Sequence, residues 1–286
     1  YAIIEAPTHG WLSNETLGVA ALGVLLMTAF VTWERRVEHP LLPMGLFGDR
    51  GFTIGLIAIM FAFFVMFSFM FTQMLHFQLV RDKTALEAAI RFLPLPLGLG
   101  PVAANSDRLV QRFGSRNVVT TGLALVSLGM ALFTTVDVGT AYPVIGATFL
   151  LLGVGMGLTM APSTTLVMDA VPDDKAGVGS ATNDASREIG GALGIAIGGS
   201  VLNEYYQRSM SIPEGLEHLG SVPLESFPAA MRIGGEMLAE GNMAGLELIE
   251  AARASFVEGM VASAMVGGAI ALATAFVVRS YMPGRD

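Results

Sequence analysis

The stretch FTIGLIAIMFAFFVMFSFMFTQMLHFQL, residues 52–79, decides the fold of this chain. It contains no Asp, Glu, Lys or Arg. It is also long enough to cross a hydrocarbon core of ~30 Å, which needs about 20 helical residues. Apolar and polar residues do not alternate along it, as they would in a strand of a membrane barrel. The stretch therefore predicts a transmembrane α-helix.

Six further segments are long and apolar enough to cross a membrane. They predict helices at 16–33, 88–110, 118–136, 142–171, 178–203 and 256–281. The whole chain is 53% hydrophobic and 14% charged, whereas soluble domains are about 25% charged. A chain with so few charges is poorly suited to a surface that faces water. The fold class predicted is an all-α membrane protein with several spans.

The composition argues against several other classes. The net charge of −8 comes without a basic stripe, so no nucleic-acid partner is expected. The absence of cysteine excludes disulfides and thiolate metal sites. The sequence has no nucleophile-elbow, zinc-protease or phosphate-loop motif, so no enzyme, cofactor or metal site is predicted. His76 has no second ligand at a suitable spacing and is expected to be hydrogen-bonded instead.

Lys and Arg predict the orientation, because they concentrate in the short cytoplasmic loops of membrane proteins. If successive spans cross the membrane in alternating directions, one side holds most of the positive residues, and we expect this side to be cytoplasmic. The C-terminus lies on the same side. These residues are Arg35, Arg36, Arg50, Arg108, Arg112, Arg116, Lys175, Arg279 and Arg285. The proline-containing acidic segment 204–253 is then an outer, solvated loop with short helical stretches near 237–252. Residues 1–15 are expected to be an outer loop that follows a helix missing from this sequence, which makes the chain a fragment.

Glycines at intervals of four predict close helix packing. Gly190, Gly194 and Gly198 share one face of a helix, and Gly153 and Gly157 share another. Small residues at this spacing let two helices approach closely in lipid. Packing alone and a sliding contact in a moving protein are both consistent with the pattern.

The cluster around Asp184, Arg187 and Glu188 is the most polar part of any predicted span. Charges at membrane depth are costly and usually face a bundle interior or water. Asp184 and Glu188 share a helix face, and Arg187 is close enough to pair with Asp184. Three interpretations stay open: a structural ion pair, proton coupling or gating, and a cluster at the membrane surface. We expect a buried Asp184–Arg187 pair, with Glu188 as the titrating group.

Several stretches, in order, resemble one transporter family. They are Trp33-Glu34-Arg35-Arg36 with His39-Pro40-Leu41-Leu42, Arg91-Phe92-Leu93-Pro94, residues 153–162 (GVGMGLTMAP) and residues 176–184 (AGVGSATND) with Arg187-Glu188-Ile189-Gly190-Gly191. They are similar to the major facilitator superfamily, and specifically to the fourteen-helix drug:proton antiporters of the EmrB/QacA type. The resemblance covers nearly the whole chain outside segment 204–253.

The resemblance implies a domain plan. Residues 16–33 would be a linker transmembrane helix and 34–51 a cytoplasmic loop. Residues 52–286 would be the C-terminal six-helix bundle of a major facilitator fold, with the outer loop at 204–253. The N-terminal half of the same transporter would be missing. The helices at 88–110 and 178–203 would then lie at the interface between the halves.

The resemblance also directs attention to two sets of residues. The helices at 52–79 and 142–171 would border the central cavity, where flat amphipathic compounds suit aromatic and Met side chains. The cavity candidates are Phe64, Phe67, Phe71, Gln73, Gln78, Met156 and Met160, although core and lipid-facing positions explain most of the Phe and Met residues. The arginine-rich turn is similar to the family's cytoplasmic motif, with Gln111 where an Asp would stand. Its latch candidates are Asp107, Arg108, Arg112, Gly114 and Arg116, and positive-inside topology alone is the alternative.

By this resemblance the protein would be a proton-coupled exporter of drugs or other small amphipathic organic compounds, including antibiotics. It would lie in a bacterial cell membrane as a multi-pass protein, with lipid, substrate and protons as its partners. The alternative hypothesis is a non-transporting membrane module that acts as an assembly partner or a sensor.

Overall fold

The computed structural model describes residues 12–38 and 40–284, and all regular structure in these residues is helical. Eleven α-helices follow one another in this part: α1 Asn14–Glu34, α2 Arg50–Leu75, α3 Ala85–Arg91, α4 Pro94–Ala104, α5 Ser106–Phe113, α6 Ser115–Phe133, α7 Tyr142–Asp169, α8 Ala176–Ser209, α9 Val222–Glu225, α10 Phe227–Ala239 and α11 Ala244–Tyr281. A π-helical turn, His76–Val80, extends α2. Short 3₁₀ helices occur at Met44–Gly48, Asp173–Lys175 and Glu217–Leu219.

Six helical segments in the described residues are long and apolar enough to cross a membrane. They are Asn14–Glu34, Arg50–Val80, Ala85–Ala104, Ser115–Phe133, Tyr142–Asp169 and Ala244–Tyr281. These match six of the seven predicted spans. The seventh prediction, 178–203, lies within α8, which is helical throughout but not among the six. Charges near its start and Asn203-Glu204 near its end shorten its apolar part.

The helix α2 is the centre of the bundle, since it packs against α7, α8 and α11. α7 also packs against α4 and α6, and α11 against α6 and α8. An aromatic cluster fills the interior: the ring of Phe69 lies 4.9 Å from that of Phe133 and 5.2 Å from that of Phe149. Phe149 in turn lies 4.8 Å from Phe92. These rings join α2, α6 and α7, so a large apolar core fixes their mutual positions.

The first helix differs from the others because nearly all of it is exposed. Near its end, the buried Glu34 carboxylate accepts a hydrogen bond from the backbone N–H of Leu42. Its exposed face is apolar, which suits a lipid environment.

Residues 92–93 and 105 interrupt the predicted span 88–110. The first break precedes Pro94, which has no backbone N–H to donate to the preceding turn. The second is at Asn105, after which the charged helix α5 begins. Helix α4 is therefore the apolar part of this span.

The segment 204–253 is more ordered than the solvated loop expected from its acidic residues. α8 continues to Ser209, and α11 begins at Ala244 instead of residue 256. Between them, the Tyr206 hydroxyl donates to the carbonyl of Pro223 at 2.9 Å, and the ring of Phe227 lies 4.7 Å from that of Phe256. These buried aromatic residues join the segment to the main apolar core of the bundle, which a count of charges does not reveal.

Candidate functional site

A row of glycines on α8 lies directly against α2. A Cβ added to Gly190 would overlap the carbonyl oxygen of Met60, and one added to Gly194 would overlap that of Phe64. Gly198 is equally close to the hydroxyl of Ser68. The predicted close approach is confirmed, and it fixes which face of α8 points towards α2.

A second close contact joins α7 to α4. A Cβ on Gly153 would overlap the carbonyl of Leu95, and one on Gly157 would lie 2.9 Å from the carbonyl oxygen of Leu99. This also confirms the close approach predicted from glycine spacing. Together the two contacts hold α4 and α8 on different sides of the α2–α7 pair.

The orientation of α8 determines where its polar cluster points. Asn183 is only 5% exposed, and Arg187 reaches across to α7, where its Nη2 donates to the hydroxyl of Thr164 at 3.2 Å. The guanidinium also lies 5.5 Å from the centre of the Phe63 ring on α2, a cation–π distance. Its Nη1 is 3.6 Å from Asp184 Oδ1. Arg187 thus connects three helices.

The Asp184–Arg187 contact exists, but it is not buried as the apolar span predicts. The Asp184 side chain is 65% exposed and that of Arg187 is 31% exposed. Glu188 is exposed on the same side of α8. The glycine face occupies the inward side of α8, so both carboxylates face away from this bundle.

The two acids belong to a wider uncovered surface. The exposed stripe on α8 contains Ala181, Asp184, Ala185, Glu188, Ile189, Ala192 and Ile195. Small, apolar and charged side chains share this stripe of α8, which we call the open face.

The structure separates the seven cavity candidates. Phe67 and Phe71 are 38% and 36% exposed, and their rings rest against Gly191 and Gly199 of α8. They are the candidates that a ligand could reach from the open side of α2.

Three other candidates are enclosed in the bundle. Phe64 and Met156 are buried in the core. Gln73 is completely buried, and its Nε2 donates to the sulfur of Met260 at 3.3 Å. In this conformation they have no surface for a ligand. Gln78 and Met160 are partly buried, and their role stays a prediction.

One of the latch candidates contacts the end of another helix. Arg116 Nε, at the start of α6, donates to the carbonyl of Met282 at 2.6 Å, just after α11 ends. A cation at this position suits the negative end of the helix dipole. Gly114, with φ of +79°, makes the turn that brings α6 back beside α5.

Two of the remaining latch candidates have contacts with near neighbours in the chain. Arg108 donates to the side chain of Asn105 at 3.3 Å, and the Arg112 guanidinium lies 5.2 Å from the ring of Phe113. Asp107 is exposed on α5. Their role as a latch stays a prediction.

Sequence reasoning missed a polar connection at the opposite end of the bundle. Arg81 Nε donates to His76 Nε2 at 3.2 Å, and its Nη2 donates to the carbonyl of Thr140 at 2.6 Å. Next to it, Asp82 Oδ2 lies 2.5 Å from Arg253 Nη2. His76 is hydrogen-bonded, as predicted. Thr140 and Arg253, which Arg81 and Asp82 contact, lie far away along the chain, so no local pattern indicated these two connections.

Comparisons with known proteins agree with this architecture. The family profile described as Major Facilitator Superfamily matches residues 10–195. Similar curated proteins include "Multidrug efflux pump LfrA" of Mycolicibacterium smegmatis, which is 27% identical over 283 residues (96% of this chain, 54% of the relative). "Multidrug resistance protein Stp" of Mycobacterium tuberculosis is 29% identical over 281 residues (94% and 51%). "Drug efflux pump JefA" of the same species is 30% identical over 297 residues (97% and 56%).

The chain spans about half the length of the curated relatives it matches. The matches to these relatives extend over nearly all of the chain, and the family profile covers well over half of it. On this similarity and on its apolar helices, the chain belongs to the major facilitator superfamily.

Proposed function

We propose that this chain is the C-terminal six-helix half, with a preceding linker helix, of a fourteen-helix proton-coupled exporter of small amphipathic organic compounds. The relatives that match it are named for drug efflux or resistance, and it aligns with about half of each. In this arrangement α1 is the linker helix, and the C-terminus lies in the cytoplasm of a bacterial cell. The missing half of the transporter, the bilayer, the substrate and protons are the partners.

The open face carries this proposal. Asp184 and Glu188 point out of the bundle, next to exposed Ile189 and Ile195. Exposure of the two carboxylates to lipid would cost free energy, and exposure of the apolar residues to water would also cost free energy. A second helical bundle that leaves a water-filled path along α8 suits both kinds of side chain. Such a path between two halves is the geometry of alternating access.

The position of Arg187 suggests how the face works. Arg187 is bonded to Thr164 on α7 and lies over Phe63 on α2, so it stays with this bundle. Its Nη1 also lies 3.6 Å from Asp184 Oδ1, so that carboxylate has a cation beside it. Glu188, one turn further on, is left to take up and release the coupling proton. At the cytoplasmic end, the Arg116–Met282 hydrogen bond holds α6 and α11 together while the two halves move.

The test is transport by the whole protein in proteoliposomes. An imposed pH gradient should drive the movement of a lipophilic cationic dye, and a protonophore should stop it. Residues 1–286 alone, reconstituted in the same way, should move no dye, because half of the path is missing. Dye movement at the same rate with and without the pH gradient would contradict proton coupling. If the whole protein moves none of the dyes in a broad panel, export is contradicted.

A further inference from the structure

One arginine connects the end of α2 to a neighbouring turn, at the end of the bundle that the proposed topology places outside. Arg81 Nε donates to Nε2 of His76 at 3.2 Å, and Arg81 Nη2 donates to the carbonyl oxygen of Thr140 at 2.6 Å. His76 begins the π-helical turn that extends α2, and Thr140 lies between α6 and α7. We call His76, Arg81 and Thr140 the outer tether, since together they join α2 to the α6–α7 turn.

The direction of the Arg81–His76 hydrogen bond fixes the protonation of the imidazole. The N–H of an arginine can only donate, so Nε2 of His76 is the acceptor and carries no hydrogen. The ring is therefore neutral, with its hydrogen on Nδ1. A proton added to Nε2 would turn this nitrogen into a donor, and the bond from Arg81 could not form. The outer tether is therefore complete in only one of the two protonation states of His76.

Two buried polar atoms beside the tether have no hydrogen-bond partner among residues 12–38 and 40–284. They are Nδ1 of His76 and Oε1 of Gln73, and both side chains are completely buried. Gln73 precedes His76 by three residues, so the two side chains lie near one another on the same side of α2. Nδ1–H is a donor and Oε1 is an acceptor. An imidazolium that loses its contact with Arg81 therefore has an acceptor close by in its own helix.

The charges around His76 favour its separation from Arg81 once it is protonated. Arg81 would then lie beside a second cation, and like charges repel. Asp137 attracts Arg81 towards the α6–α7 turn. The hydrogen bond from the hydroxyl of Thr140 is the main cause that lowers the pKa of Asp137, so this carboxylate stays ionised at mildly acidic pH. The other charged groups near the tether are Arg91 of α3, Asp82 and Lys83 next to Arg81, and Arg253 of α11, which pairs with Asp82.

The backbone at this end of α2 departs from a regular helix. The π-helical turn His76–Val80 follows α2 directly, and such turns often occur at functional sites. Asp82 has a φ of +50°, in the left-handed region that residues with a side chain rarely adopt. A backbone in this conformation depends on the contacts around it. Here these contacts are the outer tether and the Asp82–Arg253 pair, so the loss of one of them lets residues 76–82 rearrange.

We propose that His76 is a proton-operated switch of the outer tether. Uptake of a proton at Nε2 breaks the bond from Arg81, which stays with Thr140 and Asp137, and the turn His76–Val80 separates from the α6–α7 turn. Arg81 is only partly buried, so the tether lies close to the surface from which the proton comes. Histidine suits this role because its charge ordinarily changes between about pH 5 and 8. The switch does not rest on the proposed export, and it can be tested without a substrate.

The experiment follows the mobility of a spin label on the turn His76–Val80 in the whole protein in detergent. Residues 1–286 contain no cysteine, and any cysteine elsewhere in the protein is replaced by serine, so Leu79→Cys carries the only label. The mobile fraction of the spectrum should rise about threefold when the pH falls from about 8 to about 4.5, a range that includes the titration of histidine. His76→Gln keeps an acceptor but cannot take up a proton, so its label should stay immobile. In Arg81→Gln the label should be mobile already at the higher pH and respond little to acid.

A second histidine provides the matched control. His218 is exposed in segment 204–253 and takes no part in the tether, so His218→Gln should respond to acid like the labelled protein without it. Carboxylates that titrate in the same range would act equally in His76→Gln, which separates their effect from that of His76. Circular dichroism checks folding, and Arg81→Gln carries the test if His76→Gln does not fold. The proposal is overturned if the acid response persists in His76→Gln or Arg81→Gln, is absent without these substitutions, or is lost in His218→Gln.

Discussion

The two faces of α8 differ in their residues and in what they contact. The face towards α2 carries glycines that let the two backbones touch, as at Gly190 and Gly194. The opposite face carries Asp184, Glu188 and exposed apolar residues, and no helix among residues 12–38 and 40–284 covers it. One face is complete within these residues, and the other has a composition that suits a partner.

This difference explains why α8 is packed extensively against α2 and yet is not among the six helices apolar enough to cross a membrane. Glycine contributes little to hydropathy, and the acids lower it further. Close backbone contact replaces the apolar side chains by which spans are usually recognised. A helix that packs through glycines on one face and carries acids on the other is therefore one that hydropathy identifies poorly.

Chemical labelling gives an all-or-none test of the claim that α8 crosses the membrane. The native chain has no cysteine, so single cysteines can be placed at exposed positions beyond the two ends of the helix, Asp174→Cys and Ser221→Cys. A membrane-impermeant thiol reagent on intact cells should label Ser221→Cys and should label Asp174→Cys only after the cells are opened. Labelling of both in intact cells would mean that α8 does not cross.

On the face of α8 towards α2, the addition of a single methyl group should destabilise the protein. Gly194→Ala places a Cβ onto the carbonyl oxygen of Phe64, and we expect a loss of about 3 kcal/mol in the free energy of unfolding, at the upper end of overpacking costs. Gly177→Ala, in the same helix but with open space around it, is the control and should be neutral. Unfolding of the whole protein in detergent measures both. Equal stability of the two variants would contradict a close contact between Gly194 and the backbone of Phe64.

The helices and the glycine contacts could be predicted from sequence because both depend on residues close together in the chain. The connections at Arg81 and Asp82 could not, since their partners Thr140 and Arg253 are brought near only by the folded bundle. The packing of segment 204–253 against the core escaped prediction for the same reason. Its acidic residues are visible in the sequence, whereas the contacts of Tyr206 and Phe227 are not.

The cavity candidates show another limit. Residues 52–79 are apolar all the way round, so periodicity does not tell which side faces a ligand. Phe64 and Gln73 were grouped with Phe67 and Phe71 by composition, and the structure places the first two inside the bundle. The face of α2 that stays accessible was set by the glycines of another helix.

Arg187 lies on the side of α8 between its two faces. Its replacement should destabilise the protein more than the replacement of an exposed arginine. Arg187→Ala removes the bond to Thr164 and the contact with Phe63, and we expect a loss of about 2 kcal/mol. Arg208→Ala is the control in the same helix, since Arg208 is 70% exposed and pairs with Glu204 one turn away, so its loss should be about 0.5 kcal/mol or less. If the two variants unfold alike, Arg187 does not join the helices.

The open face should affect transport instead of folding. Glu188→Gln keeps the shape of the side chain but cannot ionise, and we expect the initial rate of pH-driven dye movement to fall about tenfold, or ~1.4 kcal/mol in activation free energy. The yield of folded protein should not change. Glu247→Gln, which replaces an exposed acid in the first turn of α11, should transport normally. Normal export by Glu188→Gln would place the coupling proton elsewhere, and most simply in the other half.

The smallest effect is expected at Asp184, and it decides how enclosed the open face is in the whole protein. The Asp184 side chain is 65% exposed here, and its oxygen is 3.6 Å from Arg187, which keeps its bond to Thr164 when the acid is removed. Asp184→Asn should therefore cost about 0.5 kcal/mol or less in the free energy of unfolding, as exposed pairs do. A loss of about 3–5 kcal/mol would be typical of a pair buried between two bundles. Measured beside Arg187→Ala in the same detergent, a small loss for Asp184→Asn means that water reaches this part of α8, whereas equal losses mean that the partner half closes over it.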